Sequence, residues 1–449
     1  MKKFSWVGLW RALILAMLTL HLNGCDAWSI FGPFKESSPD SELVVAVIPH
    51  ALSSGFGSLG SDVGYELDLV QNFARWRKQK TKLIQVATTQ EAARLLHNNK
   101  VDIALGRLSS ELSLDFQVLA APTYMESELW ELCPQSSKIE KSARHILGLR
   151  RDVSKKREAG LAQQLNYGSV NIFEGMSSRE LIRRAVGRKN TCVILEKMDA
   201  RVFARELKEM SPQRVLTRRH HLAFWLAPQN NDLQSQLRVW FQVSSRNQSL
   251  SQIRDRHLSH LFEMSPNDVR SFDRIFRERF QQFEKSFKSV AKNQGLPWQL
   301  LAAVAFQESQ LQSDAKSFTG VQGLMQLTQA TASFVGISDR LNPEQSLQGG
   351  AKYLKFLLDQ QPRELHPRDR LLLALAAYNV GFGHLKDAQA LAVERGKNPF
   401  SWREVKSVLP LLTEPSIAQN LKFGLARGFE PIDFVNRVLS YYDFLLASI

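Results

Sequence analysis

The period of the hydrophobic pattern changes once along this chain, near residue 265, and that change restricts the fold more than any other feature. Upstream, strand-like and helix-like stretches alternate. Residues 43–49 (LVVAVIP), 81–87 (TKLIQVA) and 101–106 (VDIALG) have the β-branched content of buried strands, while 65–76 (YELDLVQNFARW) and 88–99 (TTQEAARLLHNN) carry helical spacing. A second set repeats the pattern: strands at 170–174, 191–197 and 221–228, with a Ser177-led helix (SSRELIRRAV) and a second helix (DARVFARELKEM) between them. Such alternation predicts parallel sheets with crossover helices. Beyond Ser265 the strand pattern stops. The run SFDRIFRERFQQFEKSFKSV sets Phe272, Phe276, Phe280, Phe283 and Phe287 at three- and four-residue steps, which predicts one amphipathic helix packing a core. Residues 264–268 (MSPND) supply a breaker and a cap at the junction. A chain of 449 residues is long for one core, so a multidomain protein is expected: a two-lobed α/β part over 41–265 and a helix-rich part over 266–449.

The N-terminus stands apart. Lys2, Lys3 and Arg11 flank the apolar run 12–20 (ALILAMLTL), about half of the ~20 residues a membrane-spanning helix needs. Residues 1–24 therefore read as a signal peptide, and 25–40 as a linker. Residues 22–25 (LNGC) resemble the lipobox of bacterial lipoproteins, with Asn23 departing from the usual small or aliphatic residue; the resemblance makes Cys25 the lipidation site. No later run is long enough to span, which puts the remainder outside the cytoplasm. Cys133 and Cys192 then lie in an oxidising compartment, where they are free either to pair or to remain buried thiols. No cysteine or histidine cluster has metal-ligand spacing. The net charge of +14 calls for anionic surroundings, and for an exported chain these are lipid headgroups and carboxylate-bearing wall peptides rather than nucleic acid.

Two α/β lobes carrying GYELDLVQNFA and VDIALGRLS resemble the extracellular solute-binding domains of the amino-acid-binding class, over roughly residues 41–265. The resemblance implies a non-catalytic, clamshell-type domain. That class usually grips a ligand carboxylate with an arginine that GRLSSELSLDF lacks at the usual place; Arg107 lies one residue past the glycine instead.

In the helical part, residues 300–311 (LLAAVAFQESQL) promise a buried helix that ends on Glu308. A carboxyl at the negative end of a helix dipole, among apolar neighbours, resists ionisation, which suits a general acid. The acid of lysozyme is tuned by its surroundings in the same way. Alone, this pattern also fits a glutamate on an exposed stripe. Downstream, however, stand Ala315, Ser317, Gly320, the run Gly323-Leu324-Met325-Gln326, Thr331, and residues 377–383 (AYNVGFG). With Glu308-Ser309 these resemble the ES, GLMQ and AYNxGxG motifs of the family 1 lytic transglycosylases, over about residues 290–445. Leu311, Val321, Thr328 and Gln329 depart from the family pattern.

The resemblance implies a lysozyme-like (α+β) helical domain that cleaves peptidoglycan glycan strands with no metal or organic cofactor. Glu308 would be the catalytic residue, with Ser317, Gln326, Tyr378 and Asn379 binding substrate. It also implies 1,6-anhydromuramyl products and a place at the periplasmic face of the outer membrane, whereas Asp26 after Cys25 resembles an inner-membrane retention signal. A muropeptide or stem peptide is the expected ligand of the first domain. The alternatives are a goose-type lysozyme, which uses water, and a binding protein with an inert C-terminal domain.

Overall fold

The computed structural model describes residues 41–48, 64–110, 116–135, 144–149, 153, 155–164, 167–174, 176–203, 207, 210–262, 266–317 and 320–447. The expected signal peptide and linker, with Cys25, lie outside these residues. Among the described residues no helix is long and apolar enough to cross a membrane.

The α/β part contains two five-stranded sheets. In the first, β1 (Glu42–Val47) pairs in parallel with β2 (Lys80–Gln85) and β3 (Ile103–Leu105). β10 (Trp225–Leu226) then pairs antiparallel between β3 and β4 (Leu119–Ala120). In the second sheet, β6 (His145–Leu149) pairs in parallel with β7 (Ser169–Phe173) and β8 (Thr191–Glu196), and β5 (Met125–Pro134) runs antiparallel between β8 and β9 (Met210–Leu222). Three adjacent strands on one side of each sheet are parallel, as the alternation predicts, but the other two make both sheets mixed. The chain passes between them twice, from β4 to β5 and from β9 to β10, which is how one sequence makes two lobes.

Three sequence expectations change. The helix expected over DARVFARELKEM is a short one, Lys197–Val202, and Met210 already belongs to β9. β9 itself gives no signal in the sequence because it is an edge strand whose exposed residues (Pro212, Gln213, Val215, Arg218, Arg219) do not alternate with buried apolar ones. The expected strand 221–228 is divided, with β9 ending at Leu222 in one sheet and β10 starting at Trp225 in the other. Cys133 of β5 and Cys192 at the start of β8 are joined as a disulfide.

The first α/β helices are α1 (Tyr65–Trp76) and α2 (Thr89–His97), the latter capped by the Thr88 side chain, which accepts from Glu91 N. The last is α7 (Ser249–Leu258), reached through α3 (Lys155–Gln164), α4 (Ser178–Ala185), α5 (Lys197–Val202) and α6 (Asn231–Arg246). The phenylalanine run forms two helices rather than one, α8 (Pro266–Phe280) and α9 (Glu284–Gln294). The turn between them lets Phe272 pack on Phe306 and Tyr441 while Phe280 and Phe287 pack against each other, so both segments bury their rings in one core.

That core, the largest among the described residues, is built from residues 272–445, and the remaining clusters come from residues 43–258. Its helices are α10 (Trp298–Ser309), α11 (Gln329–Val335), α12 (Pro343–Asp359), α13 (Pro367–Val380), α14 (Phe382–Glu394), α15 (Trp402–Val408), α16 (Pro415–Ala418) and α17 (Glu430–Ala447). Buried ion pairs tie the two parts together. Arg256 of α7 reaches Asp68 of α1 and, at 2.7 Å, Asp369 in the first turn of α13.

Candidate active site

Helix α10 is apolar all round: every residue from 300 to 306 is buried. Such a helix belongs in a core, and it carries Glu308 to its last turn. There Gln310 (φ +50°) and Leu311 (φ +61°) both take the left-handed conformation that non-glycine residues resist. The turn is held by Gln310 N donating to Phe306 O (2.8 Å), by Arg279 Nη1 donating to Gln310 O (2.9 Å), and by burial of Leu311. Glu308 is part-exposed, and its carboxyl has no hydrogen-bond partner among the described residues. Burial pushes its pKa up to about 8. No charged group among the described residues contributes to that rise; Asp314, the nearest acid in sequence, is exposed.

The next residue anchors the loop facing the acid. The Ser309 hydroxyl lies 2.8 Å from Leu324 O and 3.0 Å from Ala305 O, one donor between two carbonyls. Gly323 (φ +82°) is obligatory, because a Cβ there would sit 1.7 Å from Arg340 O. Gln326 is left-handed as well (φ +47°). Its Nε2 donates to Gly323 O (2.8 Å) and Ala315 O (3.0 Å), so its amide protons hold the loop and only its carbonyl oxygen remains for a substrate. Ser317 is exposed in an adjoining turn, where its Oγ accepts from Val321 N (3.3 Å). Thr328, where the family pattern differs, caps α11 by accepting from Thr331 N (3.0 Å).

Helix α13 brings the third motif. Residues 371–377 are buried, and Tyr378 follows with its ring in the core and its phenol donating to Met325 O at 3.0 Å. Its pKa is raised well above the usual value by burial first and by the nearby Glu308 charge second, so the phenol stays protonated as a donor. Asn379 is exposed at the end of the same helix. Ser309, Gln326 and Tyr378 therefore all bond the backbone of residues 323–326, Glu308 lies close enough to act on Tyr378, and Asn379 and Ser317 are exposed. Several supporting groups carried no motif signal: Ser346 Oγ, which accepts from Met325 N (3.1 Å); Arg340, which donates to Gly320 O and Leu327 O; and Tyr353 and Phe434, whose rings flank Tyr378 at 5.6 and 6.2 Å. The pair Gly349-Gly350 hints at them, because a Cβ at Gly350 would strike Met325.

In the α/β part Arg107 is not free to hold a ligand. It is buried, left-handed (φ +59°), and crosses from the first lobe to the second to pair with Glu196 and, at 3.8 Å, with Asp199. The Thr89 hydroxyl donates to Glu174 across the same crevice. Asp68, His257 and His366 also converge, yet Arg256 occupies the shared Asp68 oxygen and His366 Nδ1 accepts from Arg368 N, which leaves the proton on Nε2.

Residues 285–401 match the Transglycosylase SLT domain, a stretch holding Glu308, Ser317, Gln326, Tyr378 and Asn379. Membrane-bound lytic murein transglycosylase F of Shewanella pealeana is 31% identical over 97% of this chain and 91% of its own length. The chain belongs to the membrane-bound lytic murein transglycosylase F family. Its counterpart numbered 2 in Alkalilimnicola ehrlichii is 31% identical over 97% of this chain and 98% of its own. Among solved structures, the cysteine-binding protein of Campylobacter jejuni is similar to half of this chain: it covers 50% of it and 93% of itself, at 16% identity and a TM-score of 0.41. The SLT match runs from residue 285 to 401, so Arg279, before it, and Phe434, after it, both in contact with the site, lie outside it.

Proposed function

We propose that this family member cleaves the β-1,4 bond between N-acetylmuramic acid and N-acetylglucosamine and closes a 1,6-anhydro ring on the muramyl product. The observation that carries this reading is Glu308 held in the last turn of the buried helix α10 beside Tyr378, kept protonated by burial and with no carboxylate among the described residues acting on it. At pH 7 roughly nine in ten such groups carry their proton. Glu308 gives it to the glycosidic oxygen as the C1–O4 bond breaks, and the substrate's N-acetyl group supports the electron-poor C1. The resulting carboxylate then takes the proton of the muramyl O6 hydroxyl as O6 bonds to C1, so the acid is regenerated and no water is consumed. A hydrolase that attacks with water ordinarily needs a second carboxylate, which is what favours the anhydro route over a goose-type lysozyme. Tyr378 positions residues 323–326 opposite the acid, and Ser317, Asn379 and the Gln326 carbonyl take sugar hydroxyl and acetamido groups. Mass spectrometry of digested peptidoglycan tests this: every new muramyl end should be lighter by one water than a reducing end, and reducing ends would refute it.

The domains in this reading are the signal peptide 1–24, linker 25–40, binding-type domain 41–265 and catalytic domain 266–449. Acylation of Cys25 holds the enzyme at the periplasmic face of the outer membrane; fatty-acid labelling lost in Cys25→Ser, with membrane fractionation, tests both points. The first domain adjusts the second through a wall-derived peptide. Supporting this, Arg256 links Asp68 to Asp369 at one end of α13, whose other end carries Tyr378 and Asn379. A ligand that moved α1 would shift the site by its differential affinity, ~1–3 kcal/mol. Calorimetry with a stem peptide, and the cleavage rate with and without it, are the measurements that decide.

A further inference from the structure

Eight large apolar side chains are exposed among the described residues, and three of them, Phe423 (49%), Leu425 (62%) and Phe429 (60%), fall within seven residues of one loop. Scattered exposed apolar residues need no explanation, but a cluster on one loop does. This loop is also rigidly built. The buried Asp387 carboxylate accepts from Phe423 N (2.8 Å) and Lys422 N (3.2 Å). Ala426 N donates to Leu412 O (3.0 Å), and Gly428 is pressed so closely on Leu409 that a Cβ would lie 1.7 Å from its carbonyl oxygen. The backbone is fixed at both ends while the side chains face water.

The position of the Phe423 ring gives the cluster its meaning. A Cβ on Gly383 would lie 2.5 Å from that ring, so the final glycine of the AYNVGFG motif is the surface on which the ring rests. Gly383 comes four residues after Asn379 and five after Tyr378. A half-exposed aromatic ring is thereby fixed beside the exposed edge of the site. Beside it stand the edge of His384, at 6.3 Å between ring centroids, and the exposed Lys422, whose Nζ stands 5.5 Å from the centroid on a flexible stem that can swing aside and donate to an oxygen.

We propose that Phe423 is a stacking platform for a sugar ring of the glycan strand, a subsite adjoining Asn379 that Leu425 and Phe429 extend. The inference rests on the glycan substrate of the preceding section. The C–H face of a pyranose lies on the electron-rich face of an aromatic ring, and holding that ring still in advance removes an ordering cost from binding. Phe423 touches substrate but no reacting atom, so it raises affinity and leaves the chemical step alone.

The test uses the full chain and purified peptidoglycan. Phe423→Ala should raise KM about tenfold with kcat within about twofold, whereas Phe423→Tyr and Phe423→Trp should keep KM near the wild-type value. In a Glu308→Gln background, where nothing is cleaved, Phe423→Ala should lower retention on sedimented peptidoglycan by a similar factor. Unchanged KM and equal retention overturn the proposal, and so does a fall in kcat at constant KM, which marks Phe423 as mere packing for Gly383. Wild type that cleaves nothing refutes the enzymatic reading instead, and the retention comparison still decides the platform.

Discussion

Replacing Glu308 by glutamine should make the protein more stable and inactive at once. The carboxyl titrates near pH 4.5 when exposed and at about 8 in the folded protein. Because the folded value is the higher one, the protonated acid costs nothing below pH 4.5, and stability falls as pH rises toward 8 and the unfolded chain gains from ionising. At pH 7 the interval is about two and a half pH units, which at ~1.4 kcal/mol each comes to roughly 3 kcal/mol. Water on the groove side screens part of this, so a gain of ~1–3 kcal/mol is expected for Glu308→Gln. For a domain of this size that corresponds to about 2–4 °C in Tm per kcal/mol. Thermal unfolding at pH 4.5 and at pH 7 is the assay. The variant should match wild type at the lower pH and exceed it at the higher, while its cleavage rate drops by at least ~10²-fold. The wild-type rate should decline as pH rises through about 8. A stability difference independent of pH, or a variant that keeps a tenth of the rate, would refute the reasoning.

Other perturbations follow from the same geometry. Tyr378→Phe leaves the Met325 carbonyl without its donor, so a loss of about 1–3 kcal/mol in stability is expected by denaturant titration, together with slower cleavage as residues 323–326 loosen. Arg256→Met uncovers the buried Asp68 and Asp369 together and should cost on the order of 3–5 kcal/mol; unchanged stability would show that Arg256 does not hold the two parts together. Cys133→Ser opens a bond between residues 59 apart and should destabilise the α/β part by about 4 kcal/mol, measured as a lower Tm that wild type reproduces on reduction.

The order of parts was legible in the sequence because period is a local property. Helix α10 carries Glu308 in its last turn, where the apolar run stops, and Thr88 sits where a cap belongs. β9 was not legible, since an edge strand need not alternate, and neither was the division of the phenylalanine run, since Phe280 and Phe287 face the core whether or not a turn separates them. Within the candidate site, the sequence motifs offered candidate residues but could not assign their bonds. Gln326 is the plainest instance: its side chain suits a sugar, yet its amide protons lie against Ala315 and Gly323 because a left-handed residue there folds the chain back on itself. Phe423 reads as one more phenylalanine until the fold lays it on Gly383, forty residues upstream. Residue type, period and motif order are written along the chain; which donor meets which carbonyl, and which ring stays in water, depends on residues far apart in sequence, and only packing brings those together.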